Sequence, residues 1–411
     1  MKKIIVIGAG AAGIMSAIRA AENGAQVTLF EKMPHIGRKL RITGKGRCNL
    51  TNTADIPEVV KNIPGNGKFL YSALKNFSPV DTVNFFESLG VKTKIERGGR
   101  IFPASDDATE VIDALLKRLI ILGVEVKTNS PVTEILSANK KIVGVKVGGK
   151  IFDCDAVILA TGGASYPATG STGDGFKFAK KLGHTITEIL PALVPLETEE
   201  DFVKDLQGLS LKNVRVKLLA DGKKISEQFG EMLFTHFGVS GPIILTLSRQ
   251  AAKLLAEKKF VELEINLKPA LTPEQLDARI LRDFDKFKRK TIKNSLVELL
   301  PSKLIPPVLD LSYLDENKKV DEITAAERRR LAEILRGLPL TITKTRPLDE
   351  AIVTSGGVSI KEIDPRTMQS KLVENLFIVG EVADVDGFTG GFNLQAAWSM
   401  GFVAGKFAAQ R

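Results

Sequence analysis

The 411-residue chain is poor in the residues that build metal and disulfide sites, with two cysteines and three histidines. Cys48 and Cys154 lie far apart and form no C-x-x-C pair. These counts argue against a structural zinc or iron–sulfur site, and we expect no metal site. The low cysteine content also fits a reducing cytosol.

Long hydrophobic runs are absent as well. No apolar run approaches the roughly 18 residues that a membrane span requires. The apolar run at residues 4–7, after Met-Lys-Lys, is far shorter than the core of a signal peptide. We therefore expect a cytoplasmic protein that makes no contact with a membrane.

Acidic residues are in deficit, because 48 Asp and Glu stand against 58 Lys and Arg, a formal charge of +10. Such an excess favours polyanionic partners, namely nucleotide cofactors, RNA or an anionic membrane. The share of hydrophobic residues, 44%, and of charged residues, 26%, is that of an ordinary folded protein. Composition thus excludes a mainly disordered chain or a collagen.

The first forty residues carry a dinucleotide-binding pattern. A β-branched run at 3–7 predicts a buried strand, followed by Gly8-Ala-Gly-Ala-Ala-Gly13, a helix over 14–24 and a second strand over 25–30 that ends at Glu31. Gly8 permits a tight turn, Gly10 lets a pyrophosphate approach the backbone, and Gly13 lets the helix pack on the strand. Glu31 can accept hydrogen bonds from an adenosine ribose. A glycine-rich turn without a ligand is the alternative, and the pattern serves FAD and NAD alike.

Three later segments favour FAD over NAD. A strand at 155–159 runs into Ala160-Thr-Gly-Gly163, and a glycine-rich stretch at 169–175 opens a helix over 176–182. A strand at 375–381 ends at Gly380-Glu381, and residues 390–397 open a C-terminal helix. There a carboxylate can bind ribityl hydroxyls, and the helix N-terminus can face the flavin pyrimidine oxygen. A simple NAD dehydrogenase has no reason to place such a segment at its C-terminus.

The sequence resembles the BaiN/RdsA family of bacterial flavoproteins over essentially its whole length. The matching stretches are GRKLRITGKGRCNLTN at 37–52, GRIFP at 99–103, LFTHFGVSGP at 233–242, TSGGV at 354–358, TMQSK at 367–371 and the segment 380–401. Lys45 departs from the glycine of many relatives. The resemblance implies an α/β fold: a Rossmann-like FAD-binding domain split by an inserted small β-barrel domain and a helical subdomain.

We predict domain boundaries from this resemblance together with local signals. The FAD-binding domain should comprise 1–190 and 347–411, the β-barrel domain 191–270 and 337–346, and the helical subdomain 271–336. Pro191 and Pro195 mark the exit from the first part. Alternating residues predict strands at 214–219 and 260–267. Thr272-Pro273 predicts the start of a helix.

Two basic clusters stand out. Five basic residues and no acid occur within 38–47, which we interpret as a loop that binds phosphate of FAD or of a substrate; a solvated loop is the alternative. In the insert, a helix would place Arg282, Lys286, Arg289, Lys290 and Lys293 roughly on one face, with Lys288 and Arg328-Arg-Arg330 adding charge. This second cluster is either a solvated surface or an RNA contact.

Cys48, His236 and Arg100 are the candidate catalytic residues. A neighbouring Arg47 should lower the pKa of the Cys48 thiol, which could then protonate one carbon of a double bond reduced by flavin. His236 could act as acid or base or bind phosphate, and Arg100 could anchor an anionic substrate. Each also has a purely structural interpretation, as packing or a salt bridge.

The other candidates are assigned no chemistry. Cys154 is interpreted as an inert core thiol, and His35 and His184 as incidental. Met368 and Ser370 lie in a matching stretch but receive no role. The predicted cofactor-binding residues are Gly8, Gly10, Ala11, Ala12, Gly13, Glu31, Lys32, Arg38, Lys39, Gly46, Arg47, Cys48, Val132, Ala160, Thr161, Gly162, Gly380, Glu381, Asp386, Gly391, Phe392, Asn393 and Leu394.

These features predict an FAD-dependent oxidoreductase, monomeric or weakly dimeric, with NAD(P)H as a transient electron donor. Since no second complete G-x-G-x-x-G occurs, a stably bound second dinucleotide is not expected. The resemblance implies reduction of a carbon–carbon double bond, with uridine of 23S ribosomal RNA, reduced to dihydrouridine, as the first substrate considered. Oxidation of a small aminoacetone-type amine and reduction of a small enone remain alternatives, as does a flavin-binding module without turnover.

Overall fold

The computed structural model describes residues 1–410 and divides them into two compact units. The first, which we call the Rossmann unit, comprises Met1–Leu190 and the C-terminal part from Leu348 onward. The second, the barrel unit, comprises Pro191–Pro347. Each unit has a hydrophobic core of its own.

The elements are numbered along the chain. The strands are β1 Lys3–Ile7, β2 Gln26–Phe30, β3 Thr51–Asn52, β4 Thr93–Glu96, β5 Arg100–Pro103, β6 Glu125–Lys127, β7 Val132–Ala138, β8 Lys141–Val147, β9 Lys150–Asp153, β10 Ala156–Leu159, β11 Leu190–Ala192, β12 Leu196–Thr198, β13 Ser210–Ala220, β14 Lys223–Thr235, β15 Gly238–Ser240, β16 Val261–Asn266, β17 Leu338–Thr345, β18 Val353–Ser355 and β19 Leu376–Ile378. The α-helices are α1 Ala11–Glu22, α2 Arg38–Ile42, α3 Ile56–Lys61, α4 Tyr71–Asn76, α5 Pro79–Ser88, α6 Ala108–Ile121, α7 Asp174–Lys181, α8 Pro242–Ala256, α9 Pro273–Lys286, α10 Ile292–Ser295, α11 Ile305–Leu311, α12 Ala325–Arg336 and α13 Phe392–Ala409.

A five-stranded parallel sheet in the order β19-β10-β1-β2-β6 is the centre of the Rossmann unit. Strands β1 and β10 are almost wholly apolar, as expected for a parallel sheet that is covered on both sides: α1 and α13 pack on it, and the antiparallel sheet β7-β8-β9 contacts it through β8 and through Phe152 against Phe30. The carboxyl ends of β1, β10 and β19 are neighbours at one edge. In a parallel sheet of this kind, ligands bind at that edge.

Helices α1 and α13 pack closely through small residues. A Cβ on Gly401 would lie 2.5 Å from the Ala12 carbonyl oxygen, and one on Gly405 would lie 2.4 Å from that of Ser16. The C-terminal helix is thereby held against the first helix of the glycine turn. It also carries Trp398, the chain's one tryptophan, which is fully buried and donates from Nε1 to the Leu50 carbonyl oxygen at 3.0 Å.

Two small antiparallel sheets complete the Rossmann unit, in the orders β3-β5-β4 and β7-β8-β9. The first sheet follows the basic segment at 38–47. That segment was predicted as a loop, but α2 occupies Arg38–Ile42 and a 3₁₀ turn occupies Thr43–Lys45. The correction has a local cause, since residues 38–42 contain no glycine or proline and favour a helical turn.

The barrel unit is a closed antiparallel barrel in the order β12-β15-β14-β13-β16-β17. Alternating residues of these strands point inward and, with α8, form about half of the unit's core; much of the rest comes from the helical segment 271–336. The predicted fold class, a Rossmann-type domain with an inserted barrel and helices, is confirmed. Among residues 1–410, no helix combines the length and apolar character that a membrane-spanning segment requires.

Helices α9–α12 form the helical part of the barrel unit. Thr272 caps α9 as predicted, in a capping box with Gln275 and with proline at the first turn. The single helical face predicted for residues 282–293 is wrong, because α9 ends at Lys286 and α10 begins at Ile292. Phe287 leaves the helix, and Lys290 closes a turn by donating its amide to the Phe287 carbonyl oxygen at 2.8 Å.

Candidate functional site

The glycine turn between β1 and α1 contains two glycines that close packing requires and one, Gly10, that has free space beside it. Gly8 has φ +100°, and a Cβ there would lie 2.6 Å from the Ala160 carbonyl oxygen. A Cβ on Gly13 would lie 1.9 Å from the Gly8 carbonyl oxygen. A Cβ on Gly10 would meet no described heavy atom within 4 Å. The fold requires the first two glycines, whereas the space over Gly10 is available to a ligand.

The N-terminus of α1 points its unpaired amides toward this space. Its N-cap is Gly10, which supplies no side-chain cap, and the first turn contains no acidic residue. Ala11, Ala12 and Gly13 are the first helical residues, so their N–H groups have no acceptor within the helix. These donors and the positive end of the helix dipole form an anion site of the kind that binds a diphosphate.

Glu31 is fixed at the end of β2 beside the turn. Its Oε2 accepts the Ala9 amide at 2.8 Å, and its Oε1 accepts the Met33 amide at 2.8 Å. A carboxylate oxygen can accept more than one hydrogen bond, so both oxygens retain capacity for two vicinal hydroxyls. The oriented carboxylate therefore fits the adenosine ribose expected there.

The neighbouring strand end contributes an unsatisfied polar atom. Thr161, directly after β10 and Ala160, has a buried Oγ1 without a hydrogen-bond partner in the described chain. Gly162 follows with φ +73°, a conformation that favours glycine, and it has no side chain that could cover the Thr161 hydroxyl. A buried hydroxyl without a partner is uncommon in folded proteins and marks a place where a polar ligand or water is expected.

Glu381 is the centre of a partly buried polar network just after β19. Its Oε1 accepts the Thr354 amide at 2.7 Å and the Ser165 hydroxyl at 3.1 Å, and its Oε2 accepts Lys39 Nζ at 2.9 Å. Burial acts to raise the pKa of Glu381, but the Lys39 charge and the Thr354 hydrogen bonds outweigh it, so the pKa is lowered. The side chain is ionised at neutral pH and can orient ribityl hydroxyls.

At the N-terminus of α13, the backbone of Gly391 packs directly against the backbone of Thr51. Gly391, the N-cap, has φ +96°, and a Cβ there would lie 2.4 Å from the Thr51 carbonyl oxygen. The first turn, at Phe392 to Leu394, has neither an acidic residue nor a side-chain cap. Asn393 uses its side chain to bind Gly387, by one 2.7 Å hydrogen bond in each direction. The amides of this turn fit the electron-rich oxygen of a flavin pyrimidine ring.

Arg47 is not available for phosphate. It pairs with Glu96 at 2.7 Å and Asp106 at 3.3 Å, and its guanidinium lies 4.1 Å from the centroid of the Phe102 ring. Lys32, another predicted ligand, pairs with Asp174 at 2.6 Å. Arg38 differs, because its side chain has no hydrogen bond or ion pair to residues 1–410. Of the four cations predicted as cofactor ligands, Arg38 is therefore the one whose charge is not already paired within residues 1–410.

Cys48 contradicts the predicted activation by Arg47. The residue is fully buried and adopts φ +61°, and burial raises the pKa of its thiol to about 12. Because Arg47 is ion-paired with Glu96 and Asp106, its charge does not offset the effect of burial on the Cys48 pKa. The thiol stays protonated at neutral pH. Cys154 is likewise buried, and its pKa is raised to about 12 for the same reason.

The other two catalytic candidates lie in different units. Arg100, in the Rossmann unit, pairs with Glu96 at 3.5 Å and donates to the Arg97 carbonyl oxygen at 3.0 Å. His236, in the barrel unit, is exposed in the turn between β14 and β15, with its ring edge-on to Phe237. Each has contacts that a structural role would require.

Sequence reasoning missed the buried role of His184. Its Nδ1 lies 3.0 Å from Glu362 Oε2, and its Nε2 lies 2.9 Å from Ser370 Oγ. Ser370 Oγ also accepts the Leu372 and Val373 amides, so its own proton is donated to His184. His184 is therefore neutral with its proton on Nδ1. The matching stretch at 367–371 was the available signal.

The remaining residues predicted to bind the cofactor also lie in the Rossmann unit. Gly380 has φ +76° and leads from β19 into Glu381, while Asp386 is buried and accepts the Ser355 hydroxyl at 3.3 Å. Gly46, φ +87°, accepts the Ala108 amide, and Val132 begins β7.

Taken together, the open space over Gly10, the oriented Glu31 carboxylate, the Thr161 hydroxyl without a partner and the α13 N-terminus fit FAD. Among residues 1–410, no three His, Cys, Asp or Glu side chains are grouped as metal ligands.

Comparison with known proteins identifies relatives over the full length. The 3-dehydro-bile acid delta(4,6)-reductase of Clostridium scindens is 36% identical, with 100% of each chain covered. The ribosomal RNA dihydrouridine synthase of Haemophilus influenzae is 30% identical, with 97% of this chain and 96% of that protein covered. The enzyme of the same name from Escherichia coli is 29% identical, with 98% and 96% covered.

Solved structures share the fold at low identity. The 3-ketosteroid-delta4-(5alpha)-dehydrogenase of Rhodococcus jostii RHA1 matches with a TM-score of 0.53 and 16% identity, over 100% of this chain and 97% of that one. The 3-ketosteroid delta1-dehydrogenase of Sterolibacterium denitrificans matches with a TM-score of 0.54 and 13% identity, over 100% of both chains. At such identities the likeness establishes the architecture alone.

The family assignment rests on a model that spans nearly the whole chain. The model of the HI0933-like protein Rossmann domain matches residues 2–407. The relatives from C. scindens, H. influenzae and E. coli cover the same length, so the resemblance found from the sequence motifs is confirmed. The chain therefore belongs to the HI0933-like family, the BaiN/RdsA group of Rossmann-domain proteins.

Proposed function

We propose that the protein is an FAD-dependent oxidoreductase that reduces a carbon–carbon double bond conjugated to a carbonyl group. The observation that carries the proposal is the fit of the Rossmann unit to FAD, above all the unfilled space over Gly10 at the uncapped N-terminus of α1. When bound, FAD supplies two-electron redox chemistry to a site whose protein groups bind and orient. NAD(P)H is proposed as the electron donor.

The relatives' names support the type of bond. A delta(4,6)-reductase acting on a 3-dehydro bile acid saturates double bonds in line with a ring ketone. A dihydrouridine synthase saturates the uracil double bond that is conjugated to a ring carbonyl. Both substrates are cyclic enones or their amide analogues. We therefore assign this chain the shared chemistry, and treat the size of the substrate as a separate question.

Ribosomal RNA remains the first substrate to test, because of one segment of the barrel unit. Residues 191–347 contain 27 basic and 23 acidic side chains, a net +4. Residues 282–293 contain six basic and two acidic side chains, also +4, so the rest of the unit is balanced. Asp283 is buried and pairs with Arg279, which leaves the surface of this segment more positive than the count implies.

Within this segment three cations are free. Lys286 and Lys293 pair with Glu298 and Glu316, whereas Arg282, Lys288 and Arg289 are exposed and make no hydrogen bond or ion pair to residues 1–410. Unpaired cations in the last turns of α9 and in the loop after it are suited to a phosphodiester backbone, whose counterions they displace. We propose that this segment, residues 282–293, contacts RNA if RNA is the substrate.

The test compares two substrates with one preparation. Purified protein should be yellow and should oxidise NADH or NADPH in the presence of substrate without oxygen. One arm offers a 3-oxo-Δ4 steroid, and the other offers 23S ribosomal RNA from a strain lacking the gene, with dihydrouridine mapped afterwards. Reduction of either substrate supports the proposed function. A colourless folded protein that takes up no FAD would contradict it, and peroxide formation with amines would favour an oxidase.

A charge variant separates the RNA arm from the steroid arm. Replacing Arg282, Lys288 and Arg289 by Gln should weaken RNA binding. The slope of the logarithm of the binding constant against the logarithm of salt concentration should become less steep, by the equivalent of about two to three phosphate contacts. Reduction of the steroid should be unaffected. Unchanged RNA binding and salt dependence would remove the segment 282–293 from the interface. The catalytic roles of Cys48, His236 and Arg100 remain predictions.

A further inference from the structure

The turn between β4 and β5 presents an arginine at its tip. The turn runs Glu96-Arg97-Gly98-Gly99, and its two glycines have φ +79° and +71°. A Cβ on Gly99 would lie 2.5 Å from Thr53 Oγ1 and 2.7 Å from Asn52 Oδ1. The turn is therefore closed tightly onto the segment after β3, and Arg97 is exposed at its end.

Asn52 joins this turn to the start of the C-terminal helix. Its Nδ2 donates to the Gly98 carbonyl oxygen at 3.0 Å and to the Gly390 carbonyl oxygen at 2.9 Å. Gly390 immediately precedes the N-cap of α13. The Gly99 carbonyl oxygen also accepts the Thr53 amide at 2.8 Å. A single side-chain amide thus holds the backbone of this turn next to the start of α13, so that Arg97, an exposed residue of the turn, is carried close to that helix end.

Among the basic residues around this turn, Arg97 differs in having no ion pair within residues 1–410. Arg47 pairs with Glu96 and Asp106, Lys94 pairs with Asp106, and Arg100 pairs with Glu96. Three cations therefore share two carboxylates. The guanidinium of Arg97 makes no hydrogen bond or ion pair to any of residues 1–410. The group has a net positive charge, and Arg97 carries the cation that is free to bind.

We propose that Arg97 binds an anionic oxygen of the substrate, a carboxylate or a phosphate, near the N-terminus of α13, the helix end that would face the flavin ring. The inference rests on the proposed function and adds a recognition residue to it. The planar guanidinium presents paired donors that match either anion. Arg100, the residue that the sequence favoured for this task, is held by Glu96 and by the Arg97 backbone.

The experiment measures binding to the FAD-loaded, oxidised protein through the change in flavin absorbance. Two matched pairs of probes are used: a 3-oxo-Δ4 steroid carboxylic acid with its methyl ester, and uridylyl-uridine with uridine. Arg97→Gln should weaken binding of one anionic probe by about tenfold, as loss of a charge-assisted contact predicts, and leave its neutral partner unchanged. The pair that responds identifies the anion as carboxylate or phosphodiester.

Lys92→Gln is the matched control, since Lys92 is an exposed cation on the same hairpin, just before β4 at the end remote from the turn. It should bind all probes as the unaltered protein does. The inference is overturned if neither anionic probe binds the unaltered protein, if Arg97→Gln binds both normally, or if Lys92→Gln has an equal effect. Failure of the proposed function looks different: probes bind, but no double bond is reduced.

Discussion

Individual residues in the Rossmann unit divide into those that the fold needs and those that it does not. Gly8 and Gly13 leave no room for a methyl group, whereas Gly10 does. Glu31 and Glu381 are carboxylates oriented by backbone amides, and their oxygens can accept further hydrogen bonds. Such residues identify a ligand site more securely than a sequence pattern, since they separate packing from binding.

The two glycines give a matched prediction. Gly10→Ala should fold normally, with a free energy of unfolding within about 1 kcal/mol of the unaltered apoprotein, because φ at Gly10 is −86° and the space is open. Its FAD affinity should fall at least about tenfold, because the methyl group occupies the path of the diphosphate. Gly13→Ala should instead lose several kcal/mol of stability, on the order of a severe core clash.

Chemical denaturation of both apoproteins and FAD titration would check this pair. Equal loss of stability in the two variants would show that the space over Gly10 has another purpose. Normal FAD affinity in Gly10→Ala would remove the diphosphate from this turn.

Elements are joined by buried polar contacts that the sequence did not disclose. His184 follows α7 and connects it through Ser370 to the turn before β19 and through Glu362 to a 3₁₀ turn. Burial lowers the pKa of His184 although Glu362 acts to raise it. The native state therefore keeps this histidine neutral at acidic pH values at which the unfolded chain has begun to protonate it.

Acid should weaken the fold through this contact. Because the native pKa lies below the ordinary 6.5, the unfolded chain binds the extra proton first, and stability is lost as pH falls through about 6.5. His184→Gln should cost about 1–3 kcal/mol at pH 7.5, since it leaves buried groups without partners, and should flatten the pH dependence between 7.5 and 5.5. Urea unfolding at several pH values measures both effects.

His35→Gln is the control for that series, because His35 is exposed and has no contact of this kind. Its stability should follow that of the unaltered protein at every pH. If His184→Gln kept the full pH dependence, other groups would be responsible.

The elements also indicate how far sequence reasoning reaches. Strand β1, the start of α9 at its Thr272 cap and the C-terminal helix were predicted, because apolar runs and capping residues act locally. The helix through 282–293 was wrong, since basic residues on one face do not reveal that Phe287 ends α9. The Cys48 pKa was wrong too, because adjacency to Arg47 in sequence reveals neither burial nor the competing Glu96.

At the scale of the whole molecule, two separate hydrophobic cores are the dominant feature. The core of the Rossmann unit contains residues from both ends of the chain, and that of the barrel unit contains residues 196–342. A unit with its own core can unfold as a unit. Because the predicted cofactor contacts in the amino- and carboxyl-terminal segments all lie in the Rossmann unit, the ligand should stabilise that core in particular.

Calorimetry of the full chain should therefore resolve two transitions. FAD at a hundred times its Kd should stabilise the Rossmann unit by about 2.7 kcal/mol and raise the midpoint of one transition only. Scans of apoprotein and of FAD-loaded protein at matched concentration provide the measurement. A single transition that moves as a whole would show that the units unfold together, and an unmoved scan would exclude binding.

Trp398 gives this molecule a built-in optical reporter. It is the single tryptophan, it is packed edge-on to Phe86 in the Rossmann unit, and the barrel unit has none. Indole emission on excitation at long ultraviolet wavelength therefore observes one unit and is blind to the other. A yellow chromophore bound in the same unit would quench that emission by energy transfer, so release of the chromophore and loss of structure become separable signals from one side chain.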